Sequence, residues 1–477
     1  MACAAHHGDD QHQSGGTGGG DETELAPLET EAGFVEVPAR SENADPRTRM
    51  FYSFVPADNG PESAPLLVYF NGGPGAATTS ILAAYGTGPY TLDPEAEVDA
   101  PPAHNPASHT AFANMLYIDA RATGFSYDVE DPADGYCSGA EPYTSDAAQF
   151  VYVLLEFLAE HPQIADNPIA LVGESYGGTR AAVMLYMLQH YAVMEQPEWF
   201  PTGHLYAPWL TAKMRRHVAF ALRRDTGVDL TPDEVARQFG YQILIQPSIA
   251  GFLQNFPGAP VPADDPDFEN PGGDAYDVRQ SVEDADRIAE HAAYAMRTPV
   301  SFEMFFGVAP QDVAGLPATE RGAARRWPSG EILELEARMR GALGDLPESD
   351  AYWLPMVQPC GPYLGDGRTL SAFLDVLKRT STFITNARYD SVVYTEALPA
   401  FFGSLDGYDA FVSKAEPAGS ERPGMLHVVG DELGTRSIRF PIYEAGHAVT
   451  VSAPGEFARD VEQWLHDVGA MRPVVFD

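Results

Sequence analysis

Apolar residues in this chain gather in short dense runs: Phe51–Val55, Leu66–Phe70, Met115–Ile118 and Ile169–Val172, each bounded by polar or glycine-rich segments. Runs of that length predict strands, and the unbroken ones predict strands covered on both faces. Between and after them the period lengthens. Asp146–Glu160 and the stretch from Ala181 onward place apolar residues at helical spacing. Strand patterns resume at Thr382–Thr385 and Ile438–Tyr443, and a last helix is expected over Glu456–Val468. Strands alternating with helices predict an α/β fold, a mostly parallel central sheet with helices on both faces. No internal repeat is evident.

The same pattern divides the chain. Residues 1–30 lack apolar periodicity and contain the run Ser14-Gly15-Gly16-Thr17-Gly18-Gly19-Gly20, which reads as a flexible tether. Residues 31–250 and 373–477 read as two parts of one core. Residues 251–372 are rich in Pro, Gly and acidic side chains, with helical patterns at Val282–Met296 and Glu331–Leu343 but no clear strands between them. That region is expected to be a helical cap insertion, with a separate domain as the alternative.

Composition narrows the picture. A chain of 477 residues with 44% hydrophobic and 11% aromatic residues has ample material for a large core. Its net charge of −39 argues against nucleic acid and anionic membrane surfaces as partners. Lys occurs only at Lys213, Lys378 and Lys414, so nearly all positive charge is Arg. No run approaches the ~18 apolar residues of a membrane-spanning helix, and no hydrophobic signal-peptide core is visible. Ala2-Cys3 ahead of the tether matches a lipoprotein whose signal peptide has been removed; an arbitrary disordered terminus is the plainer reading. Cys137 and Cys360 would pair in an exported protein or stand as two buried thiols.

The chemistry concentrates at Gly173-Glu174-Ser175-Tyr176-Gly177-Gly178, which fits the nucleophile elbow G-x-S-x-G. The run Ile169–Val172 before it and the helical pattern after it supply the strand, turn and helix that the motif needs. A glycine-rich turn with an incidental serine is the alternative reading. Serine is a weak nucleophile until a base takes its proton and an acid orients that base. Asp390 follows the strand pattern Thr382–Thr385, and His447 follows the pattern that ends at Tyr443. The chain order Ser, Asp, His and the position after strand ends both suit an α/β-hydrolase.

These segments resemble the serine carboxypeptidase family. Asn71-Gly72-Gly73-Pro74-Gly75 matches its N-G-G-P-G loop, and the Ser175 segment is similar to its G-E-S-Y elbow. Asn114–Asp119, Gly124–Tyr127, Tyr389–Val393 and Ala445–Val449 are similar to further family segments. The resemblance implies an α/β-hydrolase that releases C-terminal residues from peptides through an acyl-enzyme, with no metal or cofactor. Other acyl-transfer activities on the scaffold (esterase, acyltransferase, a peptidase of different end preference) and a non-catalytic binding protein are the alternatives. It implies Ser175 as nucleophile, His447 as base then acid, and Asp390 as its orienter. The N–H groups of Gly73 and Tyr176 would form the oxyanion hole. Asn71, Glu174 and the Gly72 N–H would hold the substrate carboxylate, which requires one shared proton between the two carboxyls. Tyr69 and Ala448 would lie near the leaving residue. An extracytoplasmic location, secreted or periplasmic, accompanies the resemblance, with Cys3 as a candidate lipid anchor. Gly86 replaces a family glutamate, Ala76 replaces a family cysteine, and the segment Asp119–Gly124 is one residue short.

Overall fold

The computed structural model describes residues 27–39, 47–73, 75–83, 85–91, 102–129, 142–194, 203–248, 304, 367–387, 416–417, 425–430 and 434–474. The tether, nearly all of the expected cap, Cys3, Cys137, Cys360 and Asp390 lie outside them.

Nine strands form the backbone of one sheet: β1 (Glu31–Val37), β2 (Thr48–Val55), β3 (Leu66–Phe70), β4 (Asn114–Ile118), β5 (Ile169–Glu174), β6 (Tyr241–Ile245), β7 (Ser381–Ile384), β8 (Met425–Gly430) and β9 (Gly434–Arg439). Their spatial order is β1-β2-β4-β3-β5-β6-β7-β9-β8, with the short strand Tyr127–Asp128 added beside β2. The neighbours from β4 through β9 run parallel. β1, β2 and β8 attach antiparallel at the two edges. This mostly parallel sheet, covered by helices, is that of an α/β-hydrolase.

Alternation along each strand sends neighbouring side chains to opposite faces. Leu66, Val68 and Phe70 of β3, with Ile169 and Leu171 of β5, enter one buried cluster. Leu67, Tyr69, Ala170 and Val172 enter the other. The first cluster is completed by α1 (Pro142–Glu160), α2 (Gly177–Gln189), α3 (Gly203–Phe220) and α4 (Gly367–Leu377). The second is closed by α5 (Pro454–Asp467), whose Phe457, Val461, Trp464 and Leu465 recur at helical spacing. Both faces are therefore dry, which explains why the central strands read as apolar runs rather than as alternations.

Strand order reverses around β3: β4 lies on one side of it and β5 on the other. A crevice opens outside the carboxyl ends of parallel strands at such a switch point. β3 ends there at Phe70, one residue before Asn71, and β5 at Glu174, one residue before Ser175.

Several expected elements differ in detail. The strand expected over Ile438–Tyr443 is interrupted at Phe440, so β9 is followed by a separate strand, Pro441–Tyr443. The strand expected over Thr382–Thr385 stops at Ile384, and Thr385 leads to a short strand, Asn386–Ala387. α4 crosses the boundary drawn at 372/373 and packs on α2.

Candidate active site

Ser175 holds φ +56°, a left-handed conformation that costs a non-glycine residue about 1–2 kcal/mol. Its surroundings fix that conformation. The Ser175 N–H donates to Ile245 O at 2.8 Å. The Ser175 carbonyl accepts from Gly178 N at 2.9 Å and from Ser248 N at 2.8 Å. The Thr179 hydroxyl donates to Ser248 O at 2.8 Å, closing a clasp between α2 and the chain leaving β6. The turn leaves Ser175 8% exposed at the mouth of β5.

The loop after β3 lies directly on this turn. A Cβ on Gly72 would stand 2.5 Å from Glu174 O, 2.6 Å from Ser175 Cβ and 2.7 Å from Tyr176 N. Only glycine permits that approach, and a Cβ on Gly173 would likewise strike Gly177 O. Gly73 follows at φ +104°. Asn71, Gly72, Glu174, Ser175 and Tyr176 thus form one contiguous group, with Gly73 next along the loop. Asn71 and Glu174 are almost fully buried.

Asn71 is held at each of its polar groups. Its N–H donates to Thr78 Oγ1 at 3.0 Å and its Nδ2 to Ala77 O at 3.4 Å. Its Oδ1 accepts from Gly72 N at 2.7 Å, and its carbonyl accepts from Arg180 Nη1 at 2.5 Å. Thr79, on the return of the loop, donates its N–H to Asp119 Oδ1 at 2.8 Å and its hydroxyl to Oδ2 at 3.2 Å. Phe125 N also donates to Asp119, at 3.0 Å. Asp119 is fully buried at the end of β4, and that burial pushes its carboxyl up to about 7 against the pull of these donors.

Beneath the group lies Arg180 on α2, with no exposed surface. Its Nε donates to Asp146 Oδ2 at 2.7 Å and its Nη2 to Oδ1 at 3.1 Å. The guanidinium lies 4.3 Å from the Phe150 ring centroid, 5.3 Å from that of Tyr176 and 5.7 Å from that of Phe70. Tyr69 is fully buried, and its hydroxyl is 2.7 Å from His109 Nδ1. Burial drives His109 down to about 3, so its ring is neutral, and Nδ1 shares one hydrogen bond with the Tyr69 hydroxyl.

His447 lies beyond Pro441–Tyr443 and before the helical turn Val449–Ser452, half-buried, with Ala448 buried beside it. Pro441–Tyr443 runs parallel to Asn386–Ala387, with Ala387 opposite Tyr443. The strand that precedes Asp390 in sequence and the strand that precedes His447 are therefore adjacent and parallel. Asp390 itself lies outside the described residues.

Gly86 adopts φ +65°, and its carbonyl accepts from the Asn105 side chain. The turn suits glycine, so the family glutamate could not simply be restored there without strain. Arg180, Asp146, Thr78 and Asp119 are absent from the site residues drawn from motifs. Arg180 had one signal in the sequence: a lone charge in the helix that follows the elbow.

Residues 20–197 match the family model described as serine carboxypeptidase. Serine carboxypeptidase S10 family member 1 of Dictyostelium discoideum is 33% identical over 138 residues, covering 28% of this chain and 30% of that protein. Serine carboxypeptidase-like 15 of Arabidopsis thaliana is 33% identical over 155 residues, covering 32% of this chain and 33% of that protein. The chain thus spans about a third of the length of the curated relatives it matches. The crystal structure of a prohormone-processing carboxypeptidase from Saccharomyces cerevisiae aligns with a TM-score of 0.47 at 13% identity, covering 92% of this chain and 91% of that one. The family-model match takes in the loop at Asn71 and the elbow at Ser175 but stops before His447, and over residues 20–197 the chain is similar to the serine carboxypeptidase family.

Proposed function

We propose that this protein is a serine carboxypeptidase that removes C-terminal residues from peptides. One observation carries the reading: a family-matched segment forms a strained serine turn and lays a glycine loop against it, within contact of Ser175 and Tyr176. In this reading Ser175 Oγ attacks the scissile carbonyl and His447 accepts its proton. Asp390 orients the imidazole. The N–H groups of Gly73 and Tyr176 receive the developing oxyanion; that of Tyr176 belongs to the start of α2, where amides make no intrahelical bond. His447 then returns the proton to the departing amine, and water hydrolyses the acyl-Ser175 ester by the same steps. Asn71, the Gly72 N–H and Glu174 take the substrate carboxylate, with one proton shared between the two carboxyls.

The test uses matched peptides with free and amidated C-termini, followed by mass spectrometry. Cleavage one residue at a time from free-acid peptides alone is the expected result. KM for those peptides should rise with pH, while an ester substrate without a free carboxylate shows no such rise. Ser175→Ala should keep the fold and lose at least about a thousandfold in kcat. Equal, pH-independent KM values for acid and amide would favour a general esterase, the reading that Gly86 in place of the family glutamate supports. An extracytoplasmic location, secreted or periplasmic, belongs to the same proposal.

A further inference from the structure

Arg180 has no part in the chemistry proposed above, yet it joins the elbow helix to the glycine loop after β3. It sits on the helix that begins at the elbow, it is paired with Asp146 of α1, and it grips the carbonyl of Asn71. Three aromatic rings enclose its guanidinium, so the pair is shielded from water. Burying two charges costs several kcal/mol each, and an apolar pair of the same shape often serves stability as well or better. A buried ion pair at this position is therefore poorly explained by stability alone.

The peptide bond between Asn71 and Gly72 is planar and trans, so its C=O and N–H point in opposite directions. Arg180 holds the carbonyl from beneath. The Gly72 N–H must then face away from Arg180, toward the side where it meets Asn71 Oδ1 at 2.7 Å. Gly72 is pressed on Ser175 and Tyr176, so a rotation of this peptide would carry the loop off the elbow and displace the Gly73 N–H as well. Thr78 and Ala77 fix the N–H and the side chain of Asn71, and Arg180 takes its carbonyl.

We infer that Arg180, oriented by Asp146, is a positioning residue that sets the Asn71–Gly72 peptide and with it the oxyanion and carboxylate-binding amides of the loop. The inference rests on the serine hydrolase reading of Ser175. Its consequence is a split between stability and catalysis. The pair can be exchanged for apolar residues with little loss of fold, but the loop then lacks the guanidinium donor on its carbonyl.

The experiment compares the full chain with Arg180→Lys, Asp146→Asn and the double variant Arg180→Met/Asp146→Leu. Each is measured for thermal midpoint, for labelling rate by a fluorophosphonate probe, and for kcat and KM on an ester and on a free-acid peptide. Arg180→Lys keeps a charge but cannot reach Asp146 through two nitrogens and Asn71 through a third at once. It should label and turn over the ester at least tenfold more slowly, at a near-native midpoint, and should raise KM for the free-acid peptide in addition. Arg180→Met/Asp146→Leu should melt at or above the native midpoint and lose about a hundredfold in ester kcat, the scale of a misplaced oxyanion donor. Asp146→Asn, which keeps a hydrogen-bond acceptor beside Arg180, should retain most activity. Native labelling and kcat in Arg180→Lys overturn the inference, as does a parallel fall of midpoint and kcat with unchanged KM. If the double variant fails to fold, Arg180→Lys alone decides between these outcomes. If the native protein is not labelled at Ser175, the hydrolase reading fails, a result distinct from equal labelling of native protein and variants.

Discussion

At the scale of single residues the site is a problem of clearance. Gly72 has room for a hydrogen and nothing more, because a methyl group there would meet two backbone atoms and Ser175 Cβ at 2.5–2.7 Å. None of these is the flexible end of a side chain, so Gly72→Ala must lift the loop or shift the elbow. We expect Gly72→Ala to lower ester kcat by about a hundredfold or more, because the loop amide is an oxyanion donor in the proposed mechanism. The fold should survive with a cost of about 1–3 kcal/mol, since overpacking is local. Steady-state kinetics beside a urea titration checks both, and native kcat in a folded Gly72→Ala protein would remove the loop from the mechanism. Ser175, Gly72 and Gly73 are legible in the sequence because the chemistry dictates their types at fixed offsets. The pairing of Arg180 with Asp146 is not: Arg180 stands out only as a lone charge in its helix, charged residues on helices usually face water, and only the packing shows that these two meet inside the protein.

At the scale of elements, the ends of β3, β4 and β5 converge, and Asp119 at the end of β4 braces the loop that β3 carries. Its carboxyl titrates near 7 in the folded protein, against an ordinary 3.8. Between those values the unfolded chain has released this proton and the folded chain still holds it. The folded state therefore binds more protons, and this contribution to stability falls as pH rises from about 4 to about 7. His109 and His217, pushed down to about 3 and about 4 by burial, act in the opposite sense, losing stability as pH falls below about 6.5. Asp119→Asn isolates one component. Its unfolding free energy should be lower than native at pH 5 by more than at pH 8, measured by urea titration; an equal difference at the two pH values would show that Asp119 is ionised throughout. Most strands here are readable from their apolar runs. β6 carries no such signal, since Gln242 breaks its short run and draws its support from Thr382 Oγ1 at 2.9 Å across the sheet. α4 merges in composition with the acidic, proline-rich region before it, although its apolar residues pack on α2 as a core helix. Local pattern locates an element that buries its own stripe, but it does not show which neighbour covers that stripe.

At the scale of the whole molecule, charge sets the terms. The chain carries 68 acidic and 29 basic residues, so the folded protein concentrates a net charge of −39. The described ion pairs match acids with a scarce supply of arginines, as Arg439 with Asp467 and Arg215 with Asp229. The remaining carboxylates repel one another across the surface, and compaction brings them closer than they stand in the unfolded chain. Screening relieves that repulsion, because the Debye length falls from about 10 Å at 0.1 M salt to about 3 Å at 1 M. Screening also weakens exposed pairs such as Arg215–Asp229, but these contribute little each, and they are few against the acidic excess. Repulsion should therefore win. The thermal midpoint is expected to climb by several degrees between about 0.05 M and about 1 M NaCl, and KCl should act equally, since screening depends on ionic strength and not on the cation. The slope should shrink at pH 5, where carboxylates begin to take up protons. It should persist in Asp119→Asn, because the Asp119 titration that this change removes is a buried event that salt does not reach. A midpoint that stays flat or falls with salt at pH 8 would mean that attractive pairs outweigh the excess charge, and that the acidic surface is organised into networks rather than left to repel.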